Sequence, residues 1–185
     1  MKVTITEFPG VLIIEPRTVE DARGYFGETF RADRYATVGV HDEFVQDNIS
    51  VSRRGVLRGL HFQYPHGQTK LVYALRGEVF DVIVDVRVGS ATFGRAMTTS
   101  LSEDNHRQIV VPRGFAHGFA VLSDEAVVAY KCSDYYSPQT ERSVRWNDPD
   151  IAVAWPFPDP VLSSKDAVAP LLRDIPHEQL PHIPI

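Results

Sequence analysis

The stretch Val79-Phe80-Asp81-Val82-Ile83-Val84-Asp85-Val86 alternates with period two, so that Phe80, Val82, Val84 and Val86 share one face and Asp81 and Asp85 the other. A helix would scatter those residues around its axis, whereas an extended strand separates them cleanly. Further short β-branched or aromatic runs occur at 11–14, 70–75, 78–86, 108–111, 119–122 and 126–131, each bounded by polar residues, Gly or Pro. The pattern predicts a mainly β domain, a sandwich or small barrel. Arg76-Gly77, between two such runs, predicts a hairpin joining the Leu71 and Val79 segments.

Helical signals are few. Arg31 to Val38 reads as one short helix and Asp166 to Leu172 as another, cut by Pro170, so an α/β doubly wound fold has no support. The last residues, Pro176 through Pro181 and Pro184, read as an extended surface terminus. No repeat or composition break divides the 185 residues, which suggests one domain over 1–185.

A formal net charge of -5 gives no broad positive field for nucleic acid or anionic lipid, so any phosphate site must be local. One cysteine, Cys132, cannot form an internal disulfide, which fits a reducing compartment and leads us to expect the cytoplasm. The N-terminus lacks the apolar core of a signal peptide, and no run is long enough to span a membrane.

Three patches concentrate polar groups among turn and apolar residues: Arg58-Gly59-Leu60-His61-Phe62-Gln63, Pro112-Arg113-Gly114-Phe115-Ala116-His117-Gly118-Phe119, and Ser164-Lys165-Asp166. In an extended segment His61 points opposite Leu60 and Phe62; if those two face an outer layer, the imidazole faces the cavity and can serve as a base. Spacing alone equally allows a histidine satisfied by a backbone carbonyl. Lys70 reads either as a solvated strand end or as an inward cation, and Tyr130, ending the apolar run Ala126-Val127-Val128-Ala129, reads as a core aromatic with its hydroxyl reaching solvent. Arg23, Arg53, Arg54 and Arg58 offer guanidinium forks suited to a diphosphate, although loop arginines such as Arg53 and Arg54 are commonly just solvated.

The Pro-x-Gly-x-x-His arrangement ending at His117 resembles the second box of the cupin superfamily. Metal-binding cupins carry His-x-His in their first box, but Gln63 stands two residues after His61, and a neutral amide is a weak ligand. No metal and no cofactor is therefore expected, with a metal-dependent cupin oxygenase or isomerase as a competing reading.

Together with Asp21-Ala22-Arg23-Gly24-Tyr25-Phe26, Gln46-Asp47-Asn48-Ile49-Ser50 and Trp146-Asn147-Asp148-Pro149, these patches resemble the dTDP-4-dehydrorhamnose 3,5-epimerase family from about Val11 to Leu172. The resemblance implies a cupin-like jelly roll or β-sandwich with a few short helices, a homodimer that exchanges N-terminal arms, and a dTDP-4-keto-6-deoxyhexose substrate. It implies His61 as general base, Asp166 as its orienting carboxylate, Tyr130 as opposing acid and Lys70 as stabiliser of the enolate oxygen. Arg23, Phe26, Glu28, Gln46, Asn48, Arg58, His117, Tyr136 and Lys165 match substrate-binding positions. Two other readings stay open: an enzyme inverting only C3 or only C5, and a noncatalytic sugar-nucleotide-binding module.

Overall fold

A computed structural model describes residues 1–183. Its first sheet has six strands: β1 (Lys2–Ile5), β2 (Leu12–Glu15), β5 (Gln46–Arg53), β7 (Lys70–Arg76), β10 (Gln108–Val111) and β12 (Glu125–Cys132), in the order β1-β2-β10-β7-β12-β5. The second has five: β6 (Leu57–Gln63), β8 (Glu78–Asp85), β9 (Ala96–Ser102), β11 (Phe115–Val121) and β13 (Glu141–Ser143), in the order β13-β6-β11-β8-β9. A separate hairpin joins β3 (Thr18–Asp21) to β4 (Gly24–Gly27). The pairings within the two main sheets are antiparallel. The architecture is the expected β-sandwich of jelly-roll type.

Alternation along each strand sorts side chains into layers. Val72 and Ala74 of β7, Ile109 and Val111 of β10, and Val128 of β12 meet Val79, Ile83, Phe115, Phe119 and Val121 of the opposite sheet in the central core. The other face of the five-stranded sheet is also covered. Leu60, Phe62, Val82, Val84 and Ala116 pack there against Val144, Leu172, Ile175 and Leu180. On the far face of the six-stranded sheet, Leu12, Ile14, Leu71 and Val110 pack beneath Tyr35 and Val40 of the short helix α1 (Ala32–Ala36) and the turn after it. β8 is buried on both faces, which takes its two carboxylates, Asp81 and Asp85, fully out of solvent.

Three expectations need correction. β7 and β8 do not pair: β7 lies between β10 and β12, β8 between β11 and β9, and Gly77 carries the chain from one sheet to the other. With both edges of each strand already taken, no hairpin can form. The second helix, α2, spans Ser164–Ala167 and ends before Pro170; Leu172–Asp174 is a separate 3₁₀ turn. The C-terminal segment is docked, with Leu180 1% exposed and Val88 paired to His182, because its apolar side chains cover the sheet. Pro184 lies outside the described residues.

Candidate active site

A set of polar side chains from both sheets converges on one cavity. A cavity of about 420 Å³ is lined by Arg58, His61 and His117 of the five-stranded sheet, Ser50, Lys70 and Tyr130 of the six-stranded sheet, and Asp166 of α2. It adjoins a second hollow of about 300 Å³, which shares His61, Lys70 and Tyr130 and adds Gln46, Asn48, Cys132, Tyr136 and Glu141.

His61 reaches the cavity because β6 turns Leu60 and Phe62 to the outer layer. Its Nε2 lies 2.6 Å from Asp166 Oδ1. Burial pushes the Asp166 carboxyl up, but hydrogen bonds from His61, Ser163 and the Gly59 backbone together with the His61 charge outweigh it and hold the group below the usual carboxylate range. An ionised carboxylate can only accept, so Nε2 carries the proton and donates, leaving Nδ1 as the basic nitrogen. The carboxylate is placed by α2, whose N-cap Ser163 accepts a hydrogen bond from the Asp166 amide at 3.1 Å.

His117 pairs directly with His61 across β11 and β6. Its Nε2 is 2.7 Å from Asp81 Oδ2, and Asp81 is fully buried with Oδ1 unpartnered. The register then slips by a residue between His117 and Phe119, where Gly59 and Gly118 let the two backbones touch. A Cβ on Gly59, at φ +128°, would lie 2.5 Å from Gly118 Cα.

Lys70 and Tyr130 project from the facing sheet. Burial pushes the Lys70 ammonium below its ordinary range, with Cys132, Glu141 and Asp81 pulling it back up. It has no hydrogen-bond or ion-pair partner among the described residues and lines both hollows, so it is an inward cation rather than a lysine at an outer strand end. Tyr130 is packed against the central core, and burial pushes its phenol up, which keeps it protonated.

Of the other expected positions, Arg58 borders the cavity and donates to Ser52 Oγ at 2.9 Å, while Gln46 and Asn48 hydrogen-bond to each other in the adjoining hollow. Tyr136 donates its hydroxyl to Glu141 at 2.8 Å, and Lys165 pairs with the same carboxylate. Arg23, Phe26 and Glu28 are not brought to the cavity by this chain. Arg23 pairs with Asp21, Phe26 is 77% exposed, and Glu28 pairs with Arg34. All three lie on or just after the β3–β4 hairpin, which pairs with neither main sheet.

Asp81 and Glu141 were missed. Asp81 had a readable signal, since a carboxylate on a strand of Val and Ile demands a partner once both faces are buried. Glu141 sits in a three-residue strand with no pattern of its own. Gln63, weighed as a weak ligand, instead pins the 133–140 loop: it donates to the carbonyls of His66 and Tyr135 and accepts from the Ser137 amide.

A family model described as dTDP-4-dehydrorhamnose 3,5-epimerase matches residues 5–174. The chain belongs to this family. A Shigella flexneri dTDP-4-dehydrorhamnose 3,5-epimerase is 51% identical over 168 residues, covering 90% of this chain and 93% of the relative. The 3,5-epimerase of Legionella pneumophila, solved in complex with dTDP-4-keto-L-rhamnose, is 50% identical with a TM-score of 0.97, covering 100% of this chain and 99% of that one. A 3'-monoepimerase from Streptomyces bikiniensis, solved with dTDP-quinovose, is 38% identical with a TM-score of 0.86 over 91% of this chain and 86% of its own. This epimerase thus has relatives of both double and single specificity. Among the described residues, no helix is long and apolar enough to cross a membrane.

Proposed function

We propose that this epimerase inverts C3 and C5 of dTDP-4-dehydro-6-deoxy-D-glucose, giving dTDP-4-dehydro-L-rhamnose, by metal-free general acid/base chemistry through an enolate. The supporting observation is the opposition of two groups across the cavity: His61, held by Asp166, on one sheet, and the protonated Tyr130 beside Lys70 on the other.

Protons at C3 and C5 flank the C4 ketone, so removing either places negative charge on the ketone oxygen. His61 takes the proton, its remaining nitrogen fixed by Asp166. The Lys70 ammonium, without another partner, stabilises the enolate oxygen. Inversion needs a proton from the opposite face, which one imidazole cannot deliver, and Tyr130 supplies it. Arg58, Gln46, Asn48, His117, Tyr136 and Lys165 bind the sugar and nucleotide, Arg58 through the diphosphate. Remote binding of this kind holds the sugar between the two acid/base groups.

Arg23, Phe26 and Glu28 reach the site from a second copy in a homodimer that exchanges hairpins. Exposed apolar residues on the hairpin (Val19, Tyr25, Phe26) and on the edge strand β5 (Ile49, Val51) support that assembly. On the same reading residues 1–185 act as one domain with an N-terminal arm, in the cytoplasm. The higher identity to double epimerases favours inversion at both carbons over one.

The test is proton NMR of dTDP-4-keto-6-deoxyglucose incubated with chelator-treated enzyme in deuterium oxide, with products trapped by ketone reduction. Exchange with inversion at C3 and C5 is expected. Inversion at a single carbon would reassign the specificity, and activity lost with chelation would reject the metal-free mechanism.

A further inference from the structure

The Trp146-Asn147-Asp148-Pro149 motif lies outside the cavity, yet the segment leading into it is bonded both to the strand that carries His61 and to the chain just after the helix that carries Asp166. Ser143 is in register with His61, and Val144 exchanges both backbone hydrogen bonds with Leu60, at 2.9 and 3.3 Å. The next residue turns to the opposite task. Arg145 donates its backbone amide to Pro170 O at 2.8 Å and its side-chain Nε to Ala169 O at 2.9 Å. Three residues on, the buried Asp148 accepts the Leu172 amide at 2.7 Å. Together these bonds grip the chain immediately after α2, which has four residues and no independent stability.

We propose that Arg145 is a positioning residue, which fixes the distance between His61 and Asp166 by tying the α2 exit to the strand beside the base. The inference rests on the reading of His61–Asp166 as the catalytic base and its carboxylate. On the N-terminal side α2 is held by Val161, which donates to Gly55 O and accepts from the Leu57 amide, so its C-terminal hold depends on the Arg145 and Asp148 contacts. Ala169 O is the one acceptor in this clamp that a side-chain guanidinium serves, and removing Nε loosens the α2 exit, so that Asp166, left with the Ser163 cap and the Gly59 amide, shifts away from Nε2. Of the substrate-binding groups only Lys165 rides on α2, while Gln46 and Asn48 on β5, Arg58 on β6 and His117 on β11 stay in place, so the effect falls mainly on turnover rather than affinity.

The test is a cycle of Arg145→Met and Asp166→Asn, each measured singly and together for kcat and KM. A loss of geometry at a reacting group costs about tenfold to a hundredfold. Arg145→Met should lower kcat by that factor with KM changed less than about twofold. In the Asp166→Asn background the same substitution should change kcat little, since its target is already gone. Equal losses in both backgrounds, or a raised KM with kcat intact, would overturn the proposal. The downfield imidazole proton of the His61–Asp166 bond, assigned by its loss in Asp166→Asn, should move upfield in Arg145→Met; an unmoved resonance also rejects the role. If Arg145→Met does not fold, Arg145→Lys, which keeps stem and charge but displaces the donor, is put through the same cycle. Full activity in Asp166→Asn alone would instead reject the catalytic pair, and is read independently of Arg145.

Discussion

His61 and His117 are direct cross-strand partners on β6 and β11, and each imidazole is tied through Nε2 to a different carboxylate, Asp166 or Asp81. The two pairs differ in surroundings. The His61 side chain is 29% exposed and open to the cavity, whereas His117 and Asp81 are buried, so substrate carbon has freer access to His61. His61→Ala is expected to lower turnover by about a hundredfold or more, the usual share of a general base. Titration calorimetry with dTDP should show binding largely kept. Near-normal turnover in His61→Ala would transfer the role of base elsewhere.

Tyr130 faces His61 from the other sheet, and burial keeps its phenol protonated. Tyr130→Phe should therefore separate two steps that the native enzyme joins. Deuterium incorporation at C3 and C5 should persist, because His61 still removes and returns protons on its own face, while formation of the inverted sugar falls by about a hundredfold or more. NMR of the same reaction reads both quantities. Equal loss of exchange and inversion would mean that Tyr130 does not act as the opposing donor.

Gly77 joins β7 in one sheet to β8 in the other with a φ of +70°, and a Cβ there would lie 2.2 Å from Glu125 O. Gly77→Ala should destabilise the fold by at least about 1–3 kcal/mol from backbone strain, and more from the contact. For a domain of this size Tm falls by about 2–4 °C per kcal/mol, measurable by calorimetry. KM should not change, because Gly77 lines neither hollow at the site. An unaltered Tm would show that the crossover relaxes freely.

This glycine also marks where sequence reasoning stopped. Part of the strand content was legible because period two survives wherever one face differs from the other, as in β8, and β10 appears at its expected bounds, Gln108–Val111, whereas the polar strands β5 and β9 fell outside the expected runs. Pairing was not legible: a Gly between two strands fits both a hairpin and an inter-sheet crossover, and only the strands that occupy the neighbouring edges decide between them. The same limit applies to the site. His61 could be aimed inward from Leu60 and Phe62, but the Asp81 partnership with His117 depends on β8 lying beside β11, a contact 36 residues apart in sequence. Arg23, Phe26 and Glu28 were recognisable by resemblance alone, and their distance from the cavity follows from a hairpin that pairs with neither main sheet and rests its Tyr25 ring on His106.

Lys70 sets function against stability. Its half-buried ammonium faces the hollows between the sheets and has no partner among the described residues, so partial desolvation lowers its pKa from the ordinary 10.5. A cation whose folded pKa is depressed is charged more readily in the unfolded chain, and folding therefore carries a penalty at neutral pH. That penalty is fully present below the folded pKa and is relieved as pH rises from there toward 10.5. Replacing the ammonium by an apolar chain of similar length removes the penalty and the oxyanion partner together. Lys70→Met is thus expected to raise Tm at pH 7, by about 2–4 °C for each kcal/mol gained, while lowering kcat by about a hundredfold to a thousandfold. The difference in Tm between variant and parent should shrink as the pH is raised into the alkaline range. Parallel scanning calorimetry and turnover measurements across pH distinguish the possibilities: a Tm that falls in Lys70→Met means that Lys70 contributes to the fold through contacts, and a kcat that holds means that the enolate oxygen is stabilised by another group.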